Sequence, residues 1–153
     1  KNDNFYDLLK LRQQCKLKAI KFYIANNTTL AVTLNSDGIY LSSFNKSLKS
    51  LNYKKLNFDI IGSAHNFREI LNKVKQGCRY ILFSKLFLVN YDKNAPFTGV
   101  IKFNNFLKMN KRLIPLGGIN QENFNKLNLI DCLGFALLSE VKKKPANILS
   151  RLF

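Results

Sequence analysis

The residues best suited to bind a ligand are Gly117 and Gly118, which follow the apolar run Leu113–Leu116. The run predicts a short buried strand, and the two glycines allow the backbone to turn sharply where that strand ends. Residues 120–122 then predict the start of a helix. A strand, a glycine turn and a helix start leave backbone N–H groups unpaired, and such groups bind phosphate. The segment predicts a phosphate site; the alternative is a turn that holds no ligand.

Two further polar residues with reactive side chains stand after other predicted strands. His65 is the only histidine of the chain and lies two positions after Ser63, at the end of the apolar run 59–64. Histidine exchanges protons near neutral pH, so His65 is a candidate acid/base, with a capping or packing role as the alternative. Lys93 lies in the aperiodic segment 84–98, and loops of that length are more often functional than structural. It is a candidate anion contact or a solvated loop lysine.

Three asparagines, Asn26, Asn27 and Asn45, also follow predicted strands. Asparagines at such positions commonly form turns and cap helices. The sequence contains no Cys/His spacing typical of a metal site and no Walker-type loop.

The charge of the chain raises the question of nucleic-acid binding. The net charge is +16, but twenty lysines stand against five arginines, and the lysines are spread over nearly every segment together with twenty asparagines. Arginine is the residue favoured for phosphate forks and base edges. We therefore expect mostly solvated helix faces, and a basic nucleic-acid-binding domain is kept as a remote alternative.

The size of the chain, 153 residues of which 46% are hydrophobic, predicts one domain over 1–153. Cys15, Cys78 and Cys132 are widely spaced, which indicates reduced thiols in a cytoplasmic protein rather than a disulfide framework. No apolar stretch reaches the ~20 residues that a membrane span needs. The chain starts at Lys1 and its only methionine is Met109, so we expect a processed or incomplete chain.

Periodicity predicts alternating strands and helices after a first amphipathic helix at 4–18. The predicted strands are 21–25, 37–41, 59–64, 79–83, 113–116 and 134–138. The predicted helices that follow them are a short one ending near 34, a weak one over 44–51, and those at 67–76, 99–108, 120–129 and 145–153. Regular βα units leave two architectures, an open doubly wound sheet or a closed barrel. We predict an α/β protein: a TIM-type (β/α)8 barrel that lacks its first strand, helix and second strand, with six βα units present.

Five segments in this order carry a resemblance to a known family. They are DGIYL at 37–41, IIGSAHN at 60–66, GCRYILF at 77–83, IPLGGINQEN at 114–123 and GFALLS at 134–139. Over 37–153 the chain resembles thiamine phosphate synthase and the related TenI-type thiazole tautomerases. The resemblance extends less securely through 1–36, where residues 25–27 look like the family's Ile-Asn-Asp turn.

The resemblance implies an enzyme that joins hydroxymethylpyrimidine diphosphate to a thiazole phosphate and releases pyrophosphate, with Mg²⁺ as the cofactor that assists the leaving group. It implies that backbone N–H groups of the Gly117–Gly118 turn and of Ser139 hold the thiazole phosphate. The remaining site residues that it implies are Ser63, His65 and Lys93 as catalytic residues and Asn26, Asn27 and Asn45 as substrate contacts. In the tautomerase branch, His65 matches the acid/base that moves a proton on the thiazole.

The chain also departs from the family pattern. The two family aspartates that hold Mg²⁺-pyrophosphate correspond to Asn27 and Asn45, and neutral amides bind Mg²⁺ far less well than carboxylates. Of the family's loop after strand six, only Lys93 matches. Two functions stay open: the transferase, and a divergent relative that is a thiazole tautomerase or a phosphate-ligand binder. We expect the two small molecules as partners, no membrane, and a homo-oligomer as a further alternative.

Overall fold

A computed structural model describes residues 3–49, 52, 57–89 and 94–138 of the chain. The helices are α1 (Asp3–Leu17), α2 (Thr28–Thr33), α3 (Phe67–Lys75) and α4 (Gly99–Met109), and a 3₁₀ helix spans Phe124–Leu129. The strands are β1 (Tyr23–Ala25), β2 (Gly38–Leu41), β3 (Asp59–Ala64), β4 (Tyr80–Ser84) and β5 (Leu113–Leu116).

The five strands form one parallel sheet in the order of the sequence, β1-β2-β3-β4-β5. A sixth position follows, because Ala136 forms a parallel bridge with Leu116 and its amide donates to the Pro115 carbonyl at 2.9 Å. A doubly wound sheet reverses its strand order, and this sheet does not, so the winding is that of a βα barrel. Every strand ends at the same edge of the sheet, which we call the carboxyl edge.

The outer face of the sheet carries the main hydrophobic core. Ile39, Ile60 and Ile81 lie on this face and are almost fully buried against helices, with Ile70 of α3 and Phe103 of α4 among their neighbours. Consecutive parallel strands with right-handed connections place their helices on one side of the sheet, which explains why one face is covered so well.

The inner face of the sheet is only half-buried. Residues paired in register across this face, among them Tyr40, Ile61, Leu82 and Ile114, keep intermediate exposure. Within the described residues the sheet does not close into a barrel, so one face has no second layer. The parallel α/β fold is confirmed, and the missing first strand, helix and second strand stay a prediction.

Three predicted elements differ from the structure. The helix predicted over 44–51 is wrong for its described part, because residues 42–47 form a loop that ends in a short 3₁₀ turn at 48–49. The helix predicted at 120–129 is a turn followed by the 3₁₀ helix, and the strand predicted at 134–138 is a single bridge at Ala136. The helix predicted at 145–153 lies outside the described residues.

Other features agree with the sequence. All three cysteines are free thiols, and Cys78 is fully buried. The helix α3 begins after Asn66, whose side chain accepts a hydrogen bond from the Glu69 amide, and it ends before Gly77, which has φ +77°. No helix in the described ranges has both the length and the apolar character to cross a bilayer.

Candidate functional site

The glycine turn after β5 is built so that only glycine fits. Gly117 and Gly118 have φ values of +91° and +71°, which lie in the left-handed region. A Cβ atom on Gly118 would lie 2.4 Å from the carbonyl oxygens of both Phe87 and Leu88. The turn is therefore pressed against the loop after β4, and the sequence prediction of a sharp glycine turn is confirmed.

The carbonyl oxygens of this turn both accept hydrogen bonds from other residues. Gly117 O accepts from the Phe87 amide at 3.0 Å, and Gly118 O accepts from Asn123 Nδ2 at 2.7 Å. Asn123 is held in turn by Asn120, whose amide donates to Asn123 Oδ1 at 2.9 Å. Among the described residues, the amides of Gly118 and Ile119 have no acceptor, which leaves N–H groups for a ligand.

A pocket of about 160 Å³ lies at the carboxyl edge beside this turn. Its lining includes Gly117 and Gly118 together with Ala136, Leu137 and Leu138 from the sixth strand position. The two chain segments predicted to share a phosphate site thus meet in one pocket, although the neighbouring Ser139 lies outside the described residues. The volume exceeds that of a few waters and matches a small anionic group better than a whole two-ring ligand.

His65 lines the same pocket, together with Ser84 at the end of β4. Its Nδ1 atom lies 2.9 Å from Ser84 Oγ and 3.2 Å from the Ser84 carbonyl oxygen. The Ser84 carbonyl can only accept, so in the tautomer with the proton on Nδ1 this nitrogen donates to it and Nε2 is left as the acceptor. The backbone amide of His65 is held separately by Glu69 Oε2 at 2.8 Å.

Lys85 is a pocket residue that the sequence analysis missed. It lines the pocket and lies so close to the glycine turn that a Cβ on Gly117 would be 3.3 Å from Lys85 Cα. Its carbonyl accepts from the Thr98 amide at 2.9 Å, which fixes the backbone beside the start of α4. The predicted cation of this loop, Lys93, lies outside the described residues. Lys85 directly follows the apolar strand β4, and no motif of polar residues around it indicated a site.

The three predicted asparagines form a second polar group at the carboxyl edge, after β1 and β2, which we call the asparagine corner (Asn26, Asn27 and Asn45). Asn45 Nδ2 donates to Asn26 Oδ1 at 3.1 Å, and the same oxygen accepts from the Ser42 amide at 3.1 Å. Asn27 caps α2, because its Oδ1 accepts from the Leu30 amide at 3.0 Å. The structure brings the three residues together, and it also gives each a local structural role.

Ser63 is not brought into the pocket. It lies on the inner face of β3, paired in register with Leu82, and is 6% exposed. Its predicted role in catalysis stays a prediction.

The fold defines a class: βα-repeat proteins of barrel winding, in which sites lie at the carboxyl ends of the parallel strands, where this pocket lies. The sequence profile of the family described as thiamine monophosphate synthase (TMP-TENI) matches residues 2–141. The chain belongs to this family.

Individual relatives agree with this assignment. The chain is similar to the thiamine-phosphate synthases of Prochlorococcus marinus (26% identity, 92% of this chain and 41% of that protein), Clostridioides difficile (25%, 88% and 65%) and Flavobacterium johnsoniae (29%, 82% and 63%). It thus spans between two fifths and two thirds of the length of these relatives. A solved thiamine phosphate pyrophosphorylase from Pyrococcus furiosus has the same fold, with a TM-score of 0.72 at 20% identity, covering 90% of this chain and 67% of that one.

Proposed function

We propose that this protein takes part in thiamine biosynthesis as a transferase that joins hydroxymethylpyrimidine diphosphate to a thiazole phosphate. The observation that carries the proposal is the pocket shared by the Gly117–Gly118 turn and residues 136–138, in a chain of the thiamine monophosphate synthase family. Its named relatives are thiamine-phosphate synthases.

The thiazole phosphate binds in this pocket. The free amides of Gly118 and Ile119 donate to phosphate oxygens. The carbonyl oxygens of the same turn already accept hydrogen bonds from Phe87 and Asn123. Lys85 adds a positive charge beside the same turn. Fixed N–H donors bind a phosphate without reorganisation, so the ligand's ring is held in one orientation above the inner face of the sheet.

The pyrimidine diphosphate lies at the asparagine corner, which follows β1 and β2 at the same carboxyl edge of the sheet. In the reaction, the bond between the pyrimidine methylene carbon and the diphosphate oxygen breaks, and the electron pair leaves with the diphosphate. The thiazole nitrogen then donates its lone pair to that carbon, which gives thiamine phosphate and pyrophosphate. The protein's task is to hold both partners in line and to stabilise the charge that develops on the leaving group. Ser63 and Lys93 are assigned to the pyrimidine and to the leaving group on the family resemblance alone.

A second candidate function is favoured by the His65–Ser84 contact. An imidazole with its Nδ1 proton held by Ser84 presents a basic Nε2 atom, as a thiazole tautomerase needs for moving a proton on the ring. This activity requires only the pocket and not the asparagine corner.

A product assay with the full chain separates the two functions. Both substrates are supplied, thiamine phosphate is measured by fluorescence after oxidation to thiochrome, and pyrophosphate by a coupled assay. The transferase predicts equal amounts of the two products. Uptake of deuterium from heavy water into thiazole phosphate, without thiamine phosphate, would assign the protein to the tautomerase. If the chain forms no thiamine phosphate or pyrophosphate and causes no deuterium uptake, both proposals are contradicted.

We also propose that the protein works in the cytoplasm, since its three cysteines are free as in a reducing compartment. Self-association into a homo-oligomer is a further proposal, supported by the exposed apolar side chains of Phe44, Ile101 and Leu133.

A further inference from the structure

The asparagine corner presents donors and not acceptors to a ligand. Backbone amides donate to the Oδ1 atoms of all three residues: the Ser42 amide to Asn26, the Leu30 amide to Asn27 and the Ser47 amide to Asn45, at 3.0–3.1 Å. A backbone N–H can only donate, so these contacts fix which amide atom is oxygen.

The nitrogen atoms of the corner remain available. Asn45 Nδ2 donates one of its two N–H groups to Asn26 Oδ1. In the described part of the chain, the Nδ2 groups of Asn26 and Asn27 donate to no acceptor. Asn26 and Asn27 are exposed, and Asn45 is half-buried. The corner therefore offers N–H groups to solvent, an arrangement suited to an anion.

A buried lysine holds the loop that carries Asn45. Lys73 of α3 is 0% exposed, and its Nζ atom donates to Ser42 O at 2.6 Å, Asn45 O at 2.7 Å and Gln76 Oε1 at 2.9 Å. Gln76 Nε2 donates to Asn45 O and to Ser47 O, both at 2.9 Å. We call Lys73 and Gln76 the loop clamp.

The fold makes room for this lysine. A Cβ on Gly62 of β3 would lie 2.7 Å from Lys73 Cδ, so glycine at this position lets the side chain cross the strand towards the loop. Burial lowers the pKa of Lys73, but a neutral amine has only two N–H groups and three acceptors surround the nitrogen. The clamp is therefore built for the ammonium form.

These groups do not fit Mg²⁺, the cofactor that the family resemblance implies. Mg²⁺ binds near-octahedral oxygen ligands and usually at least one carboxylate. The corner has no carboxylate, its amide oxygens already accept hydrogen bonds, and an ammonium group lies behind it, which repels a dication. In the described ranges no three His, Cys, Asp or Glu side chains lie together as ligands.

We propose that the asparagine corner binds a diphosphate group directly through its amide N–H groups, without a divalent cation, and that the loop clamp holds the corner in this form. The proposal rests on the proposed function for its choice of a diphosphate ligand. Lys73 and Gln76 are positioning residues, since they act through Asn45 and the loop backbone.

Nuclear magnetic resonance of the ¹⁵N-labelled full chain tests this with Mg²⁺ alone and with inorganic pyrophosphate in EDTA. Pyrophosphate is expected to shift the side-chain NH₂ signals of the corner, and Mg²⁺ alone at about 10 mM is expected to leave them unchanged. The double substitution N27D/N45D is the matched variant. It restores the carboxylates, so it should lose pyrophosphate binding in EDTA by about tenfold or more and gain a response to Mg²⁺. Corner signals of the wild-type chain that shift with Mg²⁺ alone, or pyrophosphate binding that needs Mg²⁺, would overturn the proposal.

The clamp is tested by K73M, with K75M on the exposed face of the same helix as the control. K73M should weaken pyrophosphate binding about tenfold and leave inorganic phosphate binding at the Gly118 and Ile119 amides within about twofold. Equal weakening at both places, or none at the corner, would contradict a positioning role. If K73M does not fold, the wild-type Mg²⁺ titration still tests whether the asparagine corner binds pyrophosphate without the metal. Loss of phosphate binding at Gly118 alone would count against the proposed function and not against the corner.

Discussion

His65 Nδ1 lies 2.9 Å from Ser84 Oγ, and this contact joins the carboxyl ends of β3 and β4 in the lining of the pocket. The serine carbonyl lies 3.2 Å from the same nitrogen, so the imidazole is oriented by two groups of one residue. The glycine turn and His65 line the same pocket. Under the proposed function, a phosphorylated heterocycle bound in this pocket would have its ring beside the candidate acid/base His65.

Replacing His65 by Gln separates binding from proton transfer. The amide keeps a polar group of similar reach but cannot titrate, so any deuterium uptake by thiazole phosphate should fall by about 10²-fold or more. Thiazole phosphate affinity, measured by calorimetry, should change by no more than about threefold. An unchanged uptake rate would remove His65 from the chemistry, and S84A, which leaves the carbonyl contact, should show an intermediate loss.

The loop clamp predicts an unusually large effect for a lysine substitution. K73M removes the ammonium and its hydrogen bonds to the Ser42 and Asn45 carbonyls, so the free energy of unfolding should fall by about 2–4 kcal/mol. Urea unfolding of K73M and of K75M measures this directly. Lys75 is exposed, and its substitution should cost less than about 0.5 kcal/mol. Similar losses for both variants would mean that the clamp contributes nothing special.

Stability at acid pH should depend on Asp59 at the amino ends of the strands. A hydrogen bond from Lys21, and then one from Arg79, holds the pKa of this carboxyl below its ordinary value of 3.8. A lowered folded-state pKa gives stability that is fully present above the unfolded-state pKa and is lost as the pH falls through the folded-state pKa. Urea unfolding across the acid range should show this loss in the wild-type chain and less of it in D59N. D131N is the control, since the exposed Asp131–Lys111 pair should add little.

Cys78 should be the unreactive thiol of the three. Burial raises its pKa to about 11, so almost no thiolate is present near neutral pH. A thiol reagent at mildly alkaline pH should label Cys15 and Cys132, which are half-buried, and should label Cys78 only after unfolding. Fast labelling of Cys78 in the native protein would show that the core around β3 and α3 opens readily.

The strands could be predicted because they are short apolar runs bounded by Gly, Asn or Asp. Leu113–Leu116 and Asp59–Ala64 agree with their predicted limits for this reason. The glycine turn could also be predicted, since two consecutive glycines after a buried strand indicate positive φ values.

Other parts depend on contacts distant in sequence. The apolar spacing of Phe44 and Leu48 favoured a helix, but Lys73 and Gln76, about thirty residues later, bind the carbonyl groups of this loop and hold it open. Lys85 was missed because its nearness to Gly117 results from the packing of one loop against another. Asn123 likewise acts on Gly118 through the folded turn, which no local pattern indicates.

The central claim is that the Gly117–Gly118 turn holds the phosphate of a thiazole ligand, and G118A tests it most directly. A methyl group at this position meets two backbone carbonyls at 2.4 Å, whereas the control G134A adds a methyl group with nothing within 4 Å. Calorimetric titration with thiazole phosphate should give a wild-type affinity that G134A keeps within about twofold and that G118A reduces by about tenfold or more. A G118A chain that stays folded and binds thiazole phosphate as tightly as the wild type would contradict the account.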